Sequence, residues 1–288
     1  MISILLELIG MLFWFMGARG RLIFSRVIAF IAFDILRVRR GLILKNLERV
    51  FGAESSISVR TKVGRESLSN FILTTIEFFC AKWIFKNFKF EFKNEAIMER
   101  ALSQGRGVYA MVIHSGNFEL LAYAFSKRFR QVCAPVKPVG RGGMARWVQQ
   151  NRAAHGLDEV VNEEGTDRSR SARLTDELKQ NGIVGFMVDQ RRKKGLLVPF
   201  FGELAWTNSG LFYLWKTHPA PVIPVTIQRT GLWTQRICIH DELELVGVGE
   251  LKFKEFVLEN TKMMNQRVEA LVAGNPSEYF WMHDRWKK

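Results

Sequence analysis

After residue 105, short apolar runs alternate with amphipathic segments, and this pattern limits the fold more than any other feature. Short runs rich in β-branched and aromatic residues are typical of buried strands, and apolar residues at helical spacing are typical of surface helices. Strands are predicted at residues 108–113, 132–136, 183–188, 222–228 and 237–240, and helices at 118–129, 143–155, 169–180, 208–217 and 253–272. The alternation favours an α/β fold with a mostly parallel central sheet flanked by helices.

The first forty residues are dominated by apolar side chains with arginines between and after the runs. Glu7 is the one charged residue in the first run, and Arg19 and Arg21 follow it. Apolar helical segments flanked by arginines suit a helix that lies in the cytoplasmic face of a membrane. A helical hairpin in the core and a cleaved signal peptide remain alternatives, although the basic residues of a signal peptide precede its apolar run. We predict a membrane-association segment at 1–40 and a second domain at 41–288, helical up to residue 104.

The charge of the chain predicts an acidic partner. The 42 Lys and Arg residues exceed the 28 Asp and Glu residues, which gives a net charge of +14. Nucleic acid, an anionic membrane surface or an acidic carrier protein would each suit this charge. Cys80, Cys133 and Cys238 are far apart in the sequence, so neither a disulfide framework nor a cysteine zinc site is expected, and a reducing compartment is favoured.

A histidine and a carboxylate flank a turn at the end of the first strand of this alternating region. The apolar run ends in His114, and Glu119 follows five residues later. On one continuous helix the two side chains would lie roughly 140° apart, so they can meet only if the chain turns between them. Ser115, Gly116 and Asn117 supply a turn, and Gly116 lets backbone approach a ligand closely. Two interpretations are open: a catalytic pair at the carboxyl edge of a sheet, or a structural histidine beside a glutamate that caps a helix.

Several familiar site motifs are absent from the sequence. There is neither a Gly-x-Ser-x-Gly elbow nor a Gly-x4-Gly-Lys-Ser/Thr phosphate loop. The run Gly105-Arg-Gly107-Val-Tyr-Ala110 resembles a dinucleotide fingerprint, but it precedes its strand instead of following it. No spaced set of ligands predicts a metal. Aromatic residues lie in apolar runs and not among Lys and Arg, which argues against a nucleic-acid-binding protein.

The motifs that remain occur in an order that resembles one group of enzymes. They are His114-Ser-Gly-Asn-Phe-Glu119, Trp147-Val-Gln-Gln-Asn-Arg152, Val188-Asp189-Gln190, Val198-Pro-Phe-Phe-Gly202, Ala220-Pro-Val-Ile-Pro224 and the terminus from Pro276, with Asn46-Leu-Glu-Arg-Val-Phe51 before them. This ordered set resembles the lysophospholipid acyltransferase superfamily. Within it, the chain is most similar to the bacterial lipid A late acyltransferases, which add secondary lauroyl or myristoyl chains.

The resemblance implies a reaction and a set of site residues. Its reaction is transfer of a fatty acyl chain from an acyl carrier protein thioester to a hydroxyl of a lipid A precursor, without a cofactor or a covalent intermediate. His114 is the implied general base, and Glu119 is the implied carboxylate that orients its ring. Arg152 is a candidate for stabilising the oxyanion, as are the backbone N–H groups at the start of the helix after Asn117. Substrate binding is expected of Gly116, Asn117, Arg152, Asp189 and Arg191.

The implied partners agree with the basic composition. An acidic acyl carrier protein, an anionic membrane and a phosphate-bearing lipid all favour a basic enzyme, and the implied location is the cytoplasmic face of the bacterial inner membrane. Arg191 opens a basic run that suits either a solvated loop or contact with lipid phosphates. Three alternatives remain: a related acyltransferase that acts on a phosphoinositol mannoside, glycerophosphate or aminolipid, a nucleic-acid-binding protein, and a membrane scaffold in which His114 is structural.

Overall fold

A computed structural model describes residues 2–161 and 167–287 of the chain, so residues 1, 162–166 and 288 of the two predicted domains lie outside it. The strands are β1 (Lys89–Lys93), β2 (Val108–Val112), β3 (Val132–Val136), β4 (Leu157–Val161), β5 (Ile183–Met187), β6 (Arg191–Phe200), β7 (Glu203–Thr207), β8 (Val222–Arg229) and β9 (Thr234–Ile239). Seven of them form one sheet in the order β1-β9-β8-β2-β5-β3-β4, while β6 and β7 form a separate antiparallel hairpin. Every neighbouring pair in the large sheet is parallel except β8 with β9.

Helices flank this sheet and precede it in the chain. They are α1 (Ile2–Phe15), α2 (Gly17–Phe30), α3 (Arg40–Phe51), α4 (Ile57–Phe79), α5 (Ala81–Ile84), α6 (Glu95–Ser103), α7 (Phe118–Arg128), α8 (Gly143–Ala154), α9 (Asp167–Lys179), α10 (Gly210–Thr217) and α11 (Phe253–Gly274). A π-helical turn, Ile31–Ile35, extends α2, and a short 3-10 turn, Phe85–Asn87, follows α5. The predicted α/β fold with a mostly parallel sheet flanked by helices is confirmed.

The sheet is covered on both faces because alternate residues of its central strand enter two separate cores. Tyr109 and Met111 of β2 belong to one hydrophobic core, and Val108, Ala110 and Val112 belong to the other. A strand with apolar side chains on both faces reads as a continuous hydrophobic run, which is typical of parallel sheets. This explains why the central strands were predictable from sequence.

The secondary-structure prediction lacks β4 and the β6–β7 hairpin, and it is wrong in one further part. Residues 41–104 were expected to be helical, but they contain the edge strand β1, with the sequence Lys-Phe-Glu-Phe-Lys. Phe90 and Phe92 pack against the core, while Lys89 and Lys93 are exposed. A short strand with one buried face shows only a period of two, which is a weaker signal than the longer helical pattern around it.

The amino-terminal helices pack on α4 and leave many apolar side chains exposed. Gly10 lets α1 approach α4 closely, since a Cβ there would lie 2.2 Å from the Phe79 carbonyl oxygen. Leu5, Leu12 and Phe15 of α1 are each more than half exposed. Among the described residues, no single helix has both the length and the apolar composition for a membrane crossing. Two bent pairs meet those criteria only jointly, Ile2–Phe15 with Gly17–Ile35 and Ile57–Phe79 with Ala81–Asn87.

Candidate active site

His114 and Asp189 lie side by side at the carboxyl edge of the sheet. Each follows its strand by two positions, and the two strands, β2 and β5, are neighbours. His114 Nδ1 is 2.8 Å from Asp189 Oδ1, and the His114 backbone N–H donates to Asp189 Oδ2 at 3.2 Å. The Asp189 side chain is 2% exposed and the His114 side chain 18%. The carboxylate is thus shielded from water by a ring that solvent still reaches.

The ionisation of Asp189 decides which nitrogen of His114 carries the proton. Burial raises the pKa of the Asp189 carboxyl, but the charge of His114 and its hydrogen bonds outweigh burial, and the pKa lies below its ordinary value. An ionised carboxylate can only accept hydrogen bonds, so with Asp189 Oδ1 facing the ring, Nδ1 is the protonated nitrogen of the neutral His114. Nε2 then has a free lone pair and can accept a proton as a general base does.

Aromatic side chains surround the His114 ring. The Phe118 ring meets it edge to face, with an interplanar angle of 67° and centroids 5.1 Å apart, and the Phe280 ring centroid lies 6.4 Å away. Phe71 packs against Phe280 at 4.4 Å. These rings place the base in an apolar setting, in which electrostatic interactions are stronger than in water.

Glu119 does not orient the His114 ring, so this expectation needs correction. Both Glu119 oxygens accept from Arg152: Nε donates to Oε2 at 3.0 Å and Nη2 donates to Oε1 at 2.6 Å. A third donor of Arg152, Nη1, reaches Glu159 Oε1 at 2.6 Å. The physical reason is geometric: the guanidinium of Arg152 reaches Glu119 from α8 in a bidentate contact, while Asp189, two residues after β5, occupies the Nδ1 side of the His114 ring. Burial lowers the pKa of Arg152, but the two carboxylates outweigh it and raise that pKa above its ordinary value.

The turn after His114 is held by protein groups on all sides. Gly116 has φ of +60°, and a Cβ on it would lie 2.1 Å from the Ile227 carbonyl oxygen. Its carbonyl accepts from Asn70 and Thr74, both at 3.2 Å. Asn117 is completely buried, and its Oδ1 caps α7 by accepting from the Leu120 N–H at 3.2 Å. Both residues shape the turn, and their predicted contact with substrate stays a prediction.

A buried ion pair lies beneath this turn, and the sequence analysis missed it. Glu77 of α4 is paired with Arg229 at the end of β8, through bonds of 3.0 and 2.7 Å, and its side chain is 3% exposed. Asn117 Nδ2 also donates to Glu77 at 2.7 Å. A carboxylate inside the apolar helical run that begins at Phe71 was the available signal, since buried acids are almost always paired.

The carboxyl terminus contributes residues to which the sequence analysis gave no catalytic role. The Tyr279 hydroxyl interacts with Asp189, and burial together with this carboxylate raises the pKa of Tyr279 well above its ordinary value. His283 Nε2 accepts from the Arg191 backbone N–H at 2.9 Å. Arg191 begins β6 two residues after Asp189, and its side-chain Nε donates to the Lys287 carbonyl at 2.7 Å. The predicted role of Arg191 in substrate binding remains untested.

The chemistry open to this site is general-base catalysis. His114 combines a lone pair at Nε2 with an ionised carboxylate at Nδ1, as in the base of a catalytic triad. The three cysteines are all free, and burial raises the pKa of Cys80 and of Cys133 to about 12, so neither buried thiol is activated. Within residues 2–161 and 167–287, no group of three or more His, Cys, Asp or Glu side chains is placed to hold a metal ion.

Comparison with known proteins identifies the family. The sequence profile of the bacterial lipid A biosynthesis acyltransferases matches residues 2–288. A lipid A biosynthesis palmitoleoyltransferase of Escherichia coli (strain K12) is 25% identical over 263 residues, which cover 88% of this chain and 80% of the relative. A lipid A biosynthesis acyltransferase of Shigella flexneri matches to the same extent. The chain therefore belongs to the bacterial lipid A biosynthesis acyltransferase family, and it is an acyltransferase.

Proposed function

We propose that this enzyme transfers a fatty acyl chain from an acyl carrier protein thioester to a hydroxyl of a lipid A precursor at the cytoplasmic face of the bacterial inner membrane. The observation that carries the mechanism is the buried Asp189 carboxylate, which lies 2.8 Å from Nδ1 of His114. The family membership supports the reaction class. The names of the two relatives support a lipid A precursor as the acceptor.

The proposed reaction is a direct displacement at the thioester carbonyl. Nε2 of His114 removes the proton of the acceptor hydroxyl while the hydroxyl oxygen attacks the carbonyl carbon. The resulting imidazolium is stabilised by Asp189. The tetrahedral intermediate collapses with cleavage of the carbon–sulfur bond, and the imidazolium returns its proton to the leaving thiolate. The products are the ester and the free thiol of the carrier protein.

A covalent acyl-enzyme is not part of the proposal. In the part of the chain that the structure describes, Asp189 is the one side chain that is hydrogen-bonded to the His114 ring. A serine or cysteine nucleophile would need a hydrogen bond to this ring to be activated. Direct transfer therefore uses the residues as they are placed.

The oxyanion of the intermediate needs hydrogen-bond donors, and the start of α7 is the better candidate. Asn117 caps the Leu120 N–H, while the N–H groups of Phe118 and Glu119 lie in the first helical turn, where helices lack internal acceptors. Arg152 is the other candidate, but three of its N–H donors are already engaged by two carboxylates. We therefore assign the oxyanion to the helix N-terminus and a supporting role to Arg152.

Membrane association is supported by the exposed apolar face of the first two helices. Leu5, Leu12 and Phe15 of α1 and Ile23 of α2 are each more than half exposed. Exposed apolar area of this kind marks a contact surface, and arginines beside it would meet anionic headgroups. Co-sedimentation with anionic vesicles tests this part. Leu12→Asp together with Phe15→Asp should abolish sedimentation, and retention of wild-type sedimentation would contradict it.

The test of the function is transfer from a fatty acyl carrier protein thioester to a lipid A precursor that lacks its secondary chains, in detergent. The expected product carries one additional ester-linked chain, and mass spectrometry reports its position. The same chain supplied on coenzyme A is the matched donor control and should react much more slowly. Transfer to a glycerophosphate, phosphoinositol mannoside or aminolipid acceptor with none to the lipid A precursor would overturn the proposed acceptor.

A further inference from the structure

The carboxyl-terminal segment, residues 278–285, runs directly beside the loop that carries His114. The Gly116 N–H donates to the Glu278 carbonyl at 3.1 Å, and the Phe280 N–H donates to the His114 carbonyl at 3.0 Å. Ser115 and Tyr279 form an antiparallel β-bridge between these two bonds. The backbone of the base is therefore held by the end of the chain.

The same segment holds the loop that carries Asp189. The Arg191 N–H donates to Nε2 of His283, so this nitrogen is unprotonated and Nδ1 carries the ring proton. Burial lowers the pKa of His283, which agrees with a neutral ring at neutral pH. One continuous segment thus fixes both halves of the His114–Asp189 pair.

The segment is itself anchored. Asn46 donates to the carbonyls of Trp281 and His283, both at 3.0 Å. Arg285 donates to the Trp206 carbonyl and to the Thr207 hydroxyl, both at 2.7 Å. These bonds join the segment to α3 and β7, so it is a rigid support and not a loose tail.

Charge and hydrogen bonding also link the segment to Asp189. A carboxylate that is 2% exposed is unfavourable unless its charge is compensated. His114 Nδ1 lies 2.8 Å from this carboxylate, the Tyr279 hydroxyl is hydrogen-bonded to it, and Arg285 adds a positive charge nearby. Burial lowers the pKa of Arg285, yet an arginine remains charged in a protein, so it supplies a buried positive charge.

We propose that the carboxyl-terminal segment is a positioning element of the His114–Asp189 pair. Tyr279 and Arg285 hold Asp189 as a buried carboxylate, and His283 fixes the loop that carries it. The functional part of this inference rests on the proposed role of His114 as general base. Its structural part concerns the free enzyme and can be tested without a substrate.

The first test is proton NMR of the imidazole N–H of His114 in the detergent-solubilised protein at neutral pH. A hydrogen-bonded resonance should be present in the wild type and absent from His114→Gln and Asp189→Asn. Tyr279→Phe should shift or broaden it, while Tyr213→Phe, at an exposed tyrosine on α10, should leave it unchanged.

His283→Ala should shift or broaden the His114 N–H resonance as well. His283→Gln is the second variant if His283→Ala does not fold, since its amide oxygen can accept the same N–H and should restore the resonance. An unchanged resonance in folded Tyr279→Phe and His283→Ala would overturn the proposal.

The second test is the pH profile of kcat/KM for acyl transfer. Loss of the Tyr279 hydroxyl leaves the Asp189 charge less compensated, which favours the protonated, inactive imidazole. In Tyr279→Phe the midpoint of the acidic limb should therefore move upward by about one pH unit, with kcat reduced about tenfold and KM little changed. A merely destabilised enzyme would lose active protein without moving this midpoint, and that result would overturn the proposal. A wild-type enzyme that shows no acyl transfer would contradict the proposed function. The His114 N–H resonance would still decide whether the carboxyl-terminal segment positions the His114–Asp189 pair.

Discussion

Replacement of Asp189 by asparagine is the substitution whose effect follows most directly from the site. Asn has the same shape, so the β5 loop should keep its position. The amide cannot provide the charge that stabilises an imidazolium, and its NH₂ group can donate to Nδ1. Such a bond would favour the tautomer with the proton on Nε2, where the lone pair of the base is needed.

The size of the effect follows from the contacts that are lost. A hydrogen bond to an ionised group contributes about 1.5–3 kcal/mol. The attraction between a carboxylate and an imidazolium about 4 Å apart adds about 4 kcal/mol at an effective dielectric constant of about 20. Part of this is offset because Asn still accepts from the His114 backbone N–H, so we take about 4–6 kcal/mol. This corresponds to a loss of about 10³- to 10⁴-fold in kcat.

The assay is acyl transfer under kcat conditions, with thermal unfolding measured on the same samples. Asp158→Asn is the matched control, since Asp158 lies on the edge strand β4 and pairs with the exposed Arg173 at 2.7 Å. Glu119→Gln should lose less activity than Asp189→Asn, because Glu119 contacts Arg152 and not the His114 ring. Activity of Asp189→Asn within about threefold of the wild type would refute the assignment of Asp189 as the orienting carboxylate.

Three further predictions concern stability and association. Gly116→Ala should lower the free energy of unfolding by about 2–4 kcal/mol because its Cβ would meet the Ile227 carbonyl at 2.1 Å. Urea unfolding measures this loss. The control is Gly105→Ala, where φ is also positive but the space is open, and the free energy of unfolding should fall by only about 1 kcal/mol. Arg229→Met should lower the free energy of unfolding by about 3–5 kcal/mol in the same assay, because it leaves Glu77 buried without its positively charged partner. A loss below 1 kcal/mol would show that this ion pair is not essential to stability. kcat/KM for the carrier-protein thioester should fall as salt rises from about 0.05 to 0.5 M, because ions screen docking to a basic enzyme, and a flat dependence would exclude electrostatic docking.

The central strands were predictable because their burial leaves a strong signal. Residues 132–136 were predicted as a strand and form β3 with the same bounds, and the run ending at His114 contains β2. The edge strands were harder, because β1 and β4 bury fewer of their residues and carry charged side chains. Their signal is a short alternation that local propensity alone does not separate from helix.

The site was predictable in its location but not in its pairing. His114 was expected at the carboxyl edge of the sheet, and Asp189 directly follows the strand predicted at 183–188; the structure places both at that edge. Their contact depends on β2 and β5 being neighbours, although β3 and β4 lie between them in sequence. Strand order is set by the packing of the whole domain, so the short separation of Glu119 from His114 suggested the wrong partner.

The most direct test of the central claim is the rate of acyl transfer by His114→Ala relative to the wild type, at saturating thioester and lipid A precursor. Removal of a general base that is oriented by a buried carboxylate should reduce kcat by at least about 10³-fold while the protein remains folded. Wild-type transfer with near-complete loss in His114→Ala is the result the account predicts. A folded His114→Ala enzyme that retains a rate within about tenfold of the wild type would contradict it.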